Sequence, residues 1–391
     1  MNKNLWLLAT AQGLFLTNNV VFIAINGLVG LSLAPLGWMA TLPVMGYVVG
    51  GALSTPLVAR SQSAMGRKGS FMLGLLVALL SALLCYWAAT EKNFWMLVTA
   101  TVFAGYYSAN GQLYRFAAAE LAAPDFREKA VSLVLAGGLL GAVIGPNLAS
   151  RTRNVLEVPF AGAYLSLAVV ALVSMAVMAF MKFPPLPAKK ASDDPGRPLS
   201  VIMRQPKFIV AVIGAALGYG VMNLLMAATP LAMQVCGYEF SDAALVLEWH
   251  VIGMFAPGFL TGHLIKRFGV LPIMGVGVVL NAICITIALS GVDLHQFLIA
   301  LFLLGVGWNF LFTGSTTLSL QAYRPEEKDR AQAAINFFVF ATMAVTSFAS
   351  GALVTTQGWL LLNLGSLIPV GLTGMALVWL AWRQRIAQNR R

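Results

Sequence analysis

Charge is scarce in this chain of 391 residues: Asp, Glu, Lys and Arg make up 10% of it, against 59% apolar residues. A mean hydropathy of +0.81 excludes an ordinary soluble domain. Histidine is scarce, with three residues, and cysteine equally so. Cys85, Cys236 and Cys284 form neither a disulfide framework nor a CxxC pair. Cys85 and Cys284 are expected to pack as small apolar residues. The chain has no Walker-type phosphate loop, no HExxH and no convincing nucleophile–base pairing, which argues against a membrane enzyme. No permanently bound cofactor is expected.

What the chain does have is long apolar runs. A membrane span needs roughly 20 mainly apolar residues. Such segments fall near 5–31, 36–59, 71–90, 94–120, 129–150 and 159–181, then near 207–233, 243–265, 271–291, 294–320, 331–356 and 359–382. The expected fold class is an all-α membrane protein with twelve transmembrane helices in the lipid bilayer. The first run is too long for a cleavable leader and is expected to stay as span one.

The net charge of +11 invites a nucleic-acid reading, and the placement of the charges argues against it. With both termini cytoplasmic, 21 of the 25 basic residues fall on inside segments. Lys92, Arg151 and Arg153 fall on outside loops, and Arg115 lies within a span. That asymmetry is the positive-inside bias of a multi-pass membrane protein, so no nucleic-acid partner is expected.

Residues 182–206 form a polar, Pro-rich stretch that reads as a cytoplasmic linker between a first six-helix half, 1–181, and a second, 207–391. The halves repeat weakly. Ala-Pro-Asp-Phe-Arg-Glu-Lys-Ala after span four (123–130) is matched after span ten by Arg-Pro-Glu-Glu-Lys-Asp-Arg-Ala (324–331). Met65-Gly66-Arg67-Lys68 after span two is matched by Lys266-Arg267-Phe268-Gly269 after span eight. Six spans, a linker and six related spans describe a transporter of two parallel repeats with its site between them.

Soft metal donors stand out in spans seven and eight. Met222-x-x-x-Met226 and His250-x-x-x-Met254 each place two side chains one above the other on a helix face. Met233 continues the first stripe, about 20° around from Met222, towards Cys236 at the outer end. Thioether, thiolate and imidazole suit copper, whereas hard cations want oxygen. Methionine stripes also serve plain packing. His250 carries more weight, because an ionisable group inside a span is a functional candidate by default. Pro230 and Pro257 follow the two motifs and are expected to bend both helices. Glu248, about 200° around the helix from His250, is expected to face elsewhere.

The whole chain resembles the major facilitator superfamily, and its motifs are similar to those of the CcoA-like copper importers of bacterial inner membranes. Met222, Met226, His250 and Met254 match that group's two motifs in order and in the right helices. Cys236 falls where the group has a functional cysteine. Tyr114 to Glu120 and the run from Ala136 through Gly145-Pro146 are similar to the same branch. The resemblance implies import of copper across the bacterial cytoplasmic (inner) membrane to supply cbb3-type cytochrome c oxidase assembly. Copper is then a transported substrate held by Met222, Met226, His250 and Met254, with Met233 and Cys236 as its entry. Protonation of His250 offers a proton coupling. The branch is also similar to riboflavin importers, so a small organic solute, taken up like riboflavin or exported as a drug against protons, is the alternative.

Two departures from the superfamily pattern matter. Ser63 stands where its signature after span two has an acid, which puts the family's gating salt bridge in doubt. Gly141-x-x-x-Gly145-Pro146 lacks the glycines that follow in antiporters and reads as a packing surface. Asn18, Asn19, Asn110 and Arg115 are candidate polar groups of the cavity, although interhelical bonding also explains the asparagines and snorkelling the arginine.

Overall fold

The computed structural model describes residues 3–123, 127–183, 196–324 and 327–389. All regular structure among them is helical. The first half comprises α1 (Lys3–Leu33), α2 (Leu42–Thr90), α3 (Phe94–Gly111), α4 (Tyr114–Leu121), α5 (Arg127–Thr152) and α6 (Ala161–Ala179). A short α7 (Leu199–Met203) leads into the second half. There follow α8 (Pro206–Val235), α9 (Phe240–Phe255), α10 (Gly258–Phe268), α11 (Val270–Ser290), α12 (Leu294–Leu320), α13 (Lys328–Thr356) and α14 (Gly358–Asn389). Most of the expected linker, 184–195, lies outside the described residues.

These elements make twelve spans, because α2 is two of them. Its two legs meet at Gly66, whose φ of 70° and ψ of 177° reverse the chain with a single residue. Gly269 does the same between α10 and α11, with φ 90° and ψ 160°. Only glycine takes such angles without strain. The weak sequence repeat thus marks two equivalent one-residue hairpins.

Among the described residues, ten helical segments are long and apolar enough to cross a membrane alone, and α9 with α10, bent by 40°, makes an eleventh. The remaining span is α3 with α4, broken at Gln112–Leu113, where α3 ends in the polar run Tyr106-Tyr107-Ser108-Ala109-Asn110-Gly111. The bend expected at Pro257 falls between α9 and α10. By contrast, α8 continues as one helix through Pro230.

Small residues let the helices touch backbone to backbone. A Cβ on Gly137 would lie 2.1 Å from the Ala9 carbonyl, and one on Gly141 would lie 2.6 Å from that of Gly13. The Gly-x-x-x-Gly stripe of α5 is therefore the seat of α1, as its packing reading expected. Arg67 forms a two-point ion pair with Glu120 of α4, at 2.6 and 3.1 Å. An ion pair thus ties this turn to span four although Ser63 is not acidic.

Hydrogen bonds and ring contacts that join the halves cluster at the end remote from the termini. Thr41 accepts from the Gly351 N–H at 3.0 Å and donates to the Phe348 carbonyl at 3.3 Å. Asn147 of α5 donates to the Glu248 carboxylate of α9 at 2.7 Å. Trp38 meets Phe348, and Phe160 meets Phe240, edge to face. The bundle is closed at that end. At the opposite end α4 packs on α1 and α5, and α10 on α9, α11 and α12, each within its own half.

Candidate functional site

Helices α8 and α9 carry the soft donors. Met222, Met226 and Met233 are buried along one face of α8, and with Met254 they belong to a single apolar cluster. His250 is buried one turn before Met254 on α9. Its Nδ1 lies 2.6 Å from the Leu301 carbonyl of α12. A carbonyl can only accept, so Nδ1 carries the proton and Nε2 carries the lone pair. That Nε2 is buried and has no hydrogen-bond partner. Imidazoles that hold metals are commonly oriented in this way, through a carbonyl on the other nitrogen.

The local sequence explains why α12 comes so close. Gly305 is one turn after Leu301, and a Cβ there would stand 2.4 Å from the His250 carbonyl and 2.9 Å from the Met254 nitrogen. Asn309, another turn on, spans the kink: its Nδ2 donates to the Met254 carbonyl at 2.7 Å and its Oδ1 accepts from Thr261 at 2.6 Å. The Met254 carbonyl, next to the break, is thereby satisfied, as a membrane interior demands.

Among the described residues, no three His, Cys, Asp or Glu side chains are grouped to hold a metal ion. An ion here would rest on thioethers and one imidazole. Cys236 caps the end of α8 and is exposed. Partial burial raises its thiol above the ordinary value, which disfavours the thiolate that binds metal.

The polar candidates separate. Asn110 accepts from Ser70 at 2.9 Å and donates to the Tyr106 carbonyl at 3.1 Å, so its amide joins spans three and four. Asn19 accepts from the Tyr47 hydroxyl, with Asn18 and Ser108 beside the same oxygen. Arg115 does not snorkel to the lipid surface. Its guanidinium lies within electrostatic reach of Tyr219 in the other half.

Tyr219 opens the part of the site that sequence reasoning missed. Its ring meets Trp308 at 5.3 Å and Phe312 at 5.5 Å, both edge-on. Trp308 and Phe312 are stacked at 5.1 Å with 10° between their planes. Phe255 adds a fourth ring, 6.1 Å from Trp308, and faces Gly138 of the first half. The indole Nε1–H of Trp308 is buried with no partner. Flat π-faces and an orphaned donor on one half oppose an arginine, amides and hydroxyls on the other. Such a site can stack a planar heterocycle and bind its polar edge. The available signal was Gly218-Tyr219-Gly220, a large ring between two glycines one turn before Met222.

Known proteins share this arrangement of helices to different degrees. The chain is 38% identical over 363 residues to the riboflavin transporter RfnT of Brucella anthropi, covering 92% of this chain and 91% of that protein. It is 25% identical over 347 residues, 84% of the chain and 80% of the relative, to YddS of Bacillus subtilis, an uncharacterized MFS-type transporter. YdeG of the same organism, described in the same words, is 26% identical over 343 residues, 83% and 79%. The sequence pattern of the Major Facilitator Superfamily matches residues 5–257 and again 249–390. Since those matches run along almost the whole of a twelve-span helical bundle, the chain belongs to the major facilitator superfamily and is a transporter of that fold.

Proposed function

We propose that this transporter takes up riboflavin or a closely related planar heterocycle across the bacterial cytoplasmic membrane. The observation that carries the reading is the 38% identity to a riboflavin transporter over nine-tenths of both chains. The ring group of Tyr219, Phe255, Trp308 and Phe312 supports it, since stacking and an indole N–H suit a flat, polar-edged solute. Arg115, Asn19 and Tyr47 then serve the edge of the solute from the facing half. The positive-inside bias supports cytoplasmic termini, and with that orientation the closed end of the bundle is the outer one. Rocking of the halves about the central site would alternately open each end.

Copper import is the second reading, favoured by one specific observation: the His250 Nε2 lone pair, buried without a partner on a helix face shared with Met254. In that reading Met222 and Met226 complete the grip, and the ion leaves readily because thioethers bind weakly. Uptake of labelled riboflavin and labelled copper by the same proteoliposomes separates the two. Saturable riboflavin uptake with no copper accumulation is expected. Copper uptake abolished by His250→Ala at equal protein level, with no riboflavin entry, would reverse the order.

A further inference from the structure

The closed outer end holds a cavity of about 410 Å³ between the halves and away from the ring group. Ligand pockets usually measure about 300–1,000 Å³. One wall comes from α1, the end of α2 and the segment between α5 and α6; the other comes from α8 and the start of α9. Its mouth is exposed at Lys92, Pro159, Gln234 and Glu239, and its floor is buried at Leu28, Phe160 and Phe240.

The charges in this cavity are unbalanced. The Arg153 guanidinium sits 5.2 Å from the Phe160 ring centre and 5.8 Å from that of Phe240, so it bridges the two halves through π-faces. Its Nε is buried and has no hydrogen-bond partner. Among the described residues neither Arg153 nor Lys92 forms an ion pair, although Glu239 shares the cavity. An arginine stacked on rings keeps its in-plane N–H groups available for an anion. Lys92 and Phe160 are also the two non-glycine residues with positive φ among the described residues, at 51° and 66°. For a bulky ring such a conformation is a genuine outlier, and outliers gather at ligand sites.

We propose that this cavity is a ligand site separate from the transport site, and that it takes a small aromatic anion. The aromatic body lies against Phe160, Phe240 and Tyr238, and the anionic group meets Arg153 with Lys92 at the mouth. Because the walls belong to different halves, the site exists only while the outer end is closed. A ligand that binds one arrangement alone shifts the population towards it. The bound anion therefore holds the transporter shut outside and slows uptake without competing at the central site.

The test uses the full-length protein in nanodiscs and equilibrium dialysis with labelled 2-naphthoate and its neutral counterpart, 2-naphthamide. Naphthoate is expected to bind about tenfold more tightly than the amide, as a charge-assisted contact would give. Arg153→Gln should erase that preference, Lys92→Gln should reduce it a few-fold, and Trp308→Leu should leave it intact. Equal binding of acid and amide overturns the proposal, as does a preference that survives both charge substitutions or disappears in Trp308→Leu. If Arg153→Gln does not yield monodisperse protein, Lys92→Gln decides alone. Binding is read without transport, so its failure leaves the identity of the carried solute untouched.

Discussion

Replacing Trp308 by leucine tests the ring group as the seat of the solute. Trp308 meets Tyr219, Phe255 and Phe312 at 5.3, 6.1 and 5.1 Å, and its Nε1–H is unpaired. Leucine keeps much of the bulk and removes both the flat face and the donor. Stacking of a flat base on an aromatic side chain is worth about 1–3 kcal/mol. Lost from the bound state, that is roughly a 5- to 150-fold rise in KM for riboflavin. The protein also loses three ring pairs, each about 0.5–1.5 kcal/mol, so Tm should fall and folded protein must be verified. Initial rates of labelled riboflavin entry into proteoliposomes give the KM. An unchanged KM in a well-folded Trp308→Leu protein would refute the placement, whereas copper uptake would not respond to this substitution.

Three further outcomes follow from contacts elsewhere. Asn147→Leu removes a hydrogen bond to a carboxylate, about 1.5–3 kcal/mol, so hydrogen exchange in α5 and α9 around Asn147 and Glu248 should quicken by roughly tenfold or more; unchanged protection would mean that this bond does not hold the end closed. Gly305→Ala forces a methyl to 2.4 Å from the His250 carbonyl, and such overpacking costs about 1–3 kcal/mol, seen as a lower Tm; an unaltered Tm would show that α9 and α12 yield freely there. Glu327 accepts from the Arg197 backbone N–H, Nε and Nη2 at 2.7–2.8 Å, and these bonds hold its carboxyl well below the usual carboxylate range. A lowered native pKa stabilises above the free value, near 4.3 for Glu, and the gain is lost as pH falls through the lowered one. Exchange protection of residues 196–206, corrected for intrinsic rates, should therefore hold from pH 8 to 5; fading across that interval would contradict the docking.

Much of this architecture is legible in the amino-acid order, because a bilayer leaves few choices for apolar runs of about 20 residues. The matching segments that hold Gly66 and Gly269 were visible as a repeat, whereas their one-residue turns show only in the backbone angles. Other features depend on how helices rotate against one another. Asn110 and Asn19 read alike as polar residues in a span, yet one is consumed by Ser70 and Tyr106 while the other joins Tyr47 near the interface between halves. Arg115 reads as a residue that reaches for the lipid surface until Tyr219 is placed within its range. The ring group was hidden for the same reason: Trp308 and Phe312 are one turn apart on α12, but Tyr219 and Phe255 come from two other helices. The methionine stripe was visible from its spacing, and burial of its members in one cluster suits packing as well as ligation.

Counterflow measures the central claim most directly. Proteoliposomes loaded with unlabelled riboflavin and diluted into a trace of labelled riboflavin should show a transient overshoot of label inside, absent from liposomes without protein. No overshoot with riboflavin, alongside saturable entry of labelled copper into the same vesicles, would contradict the account.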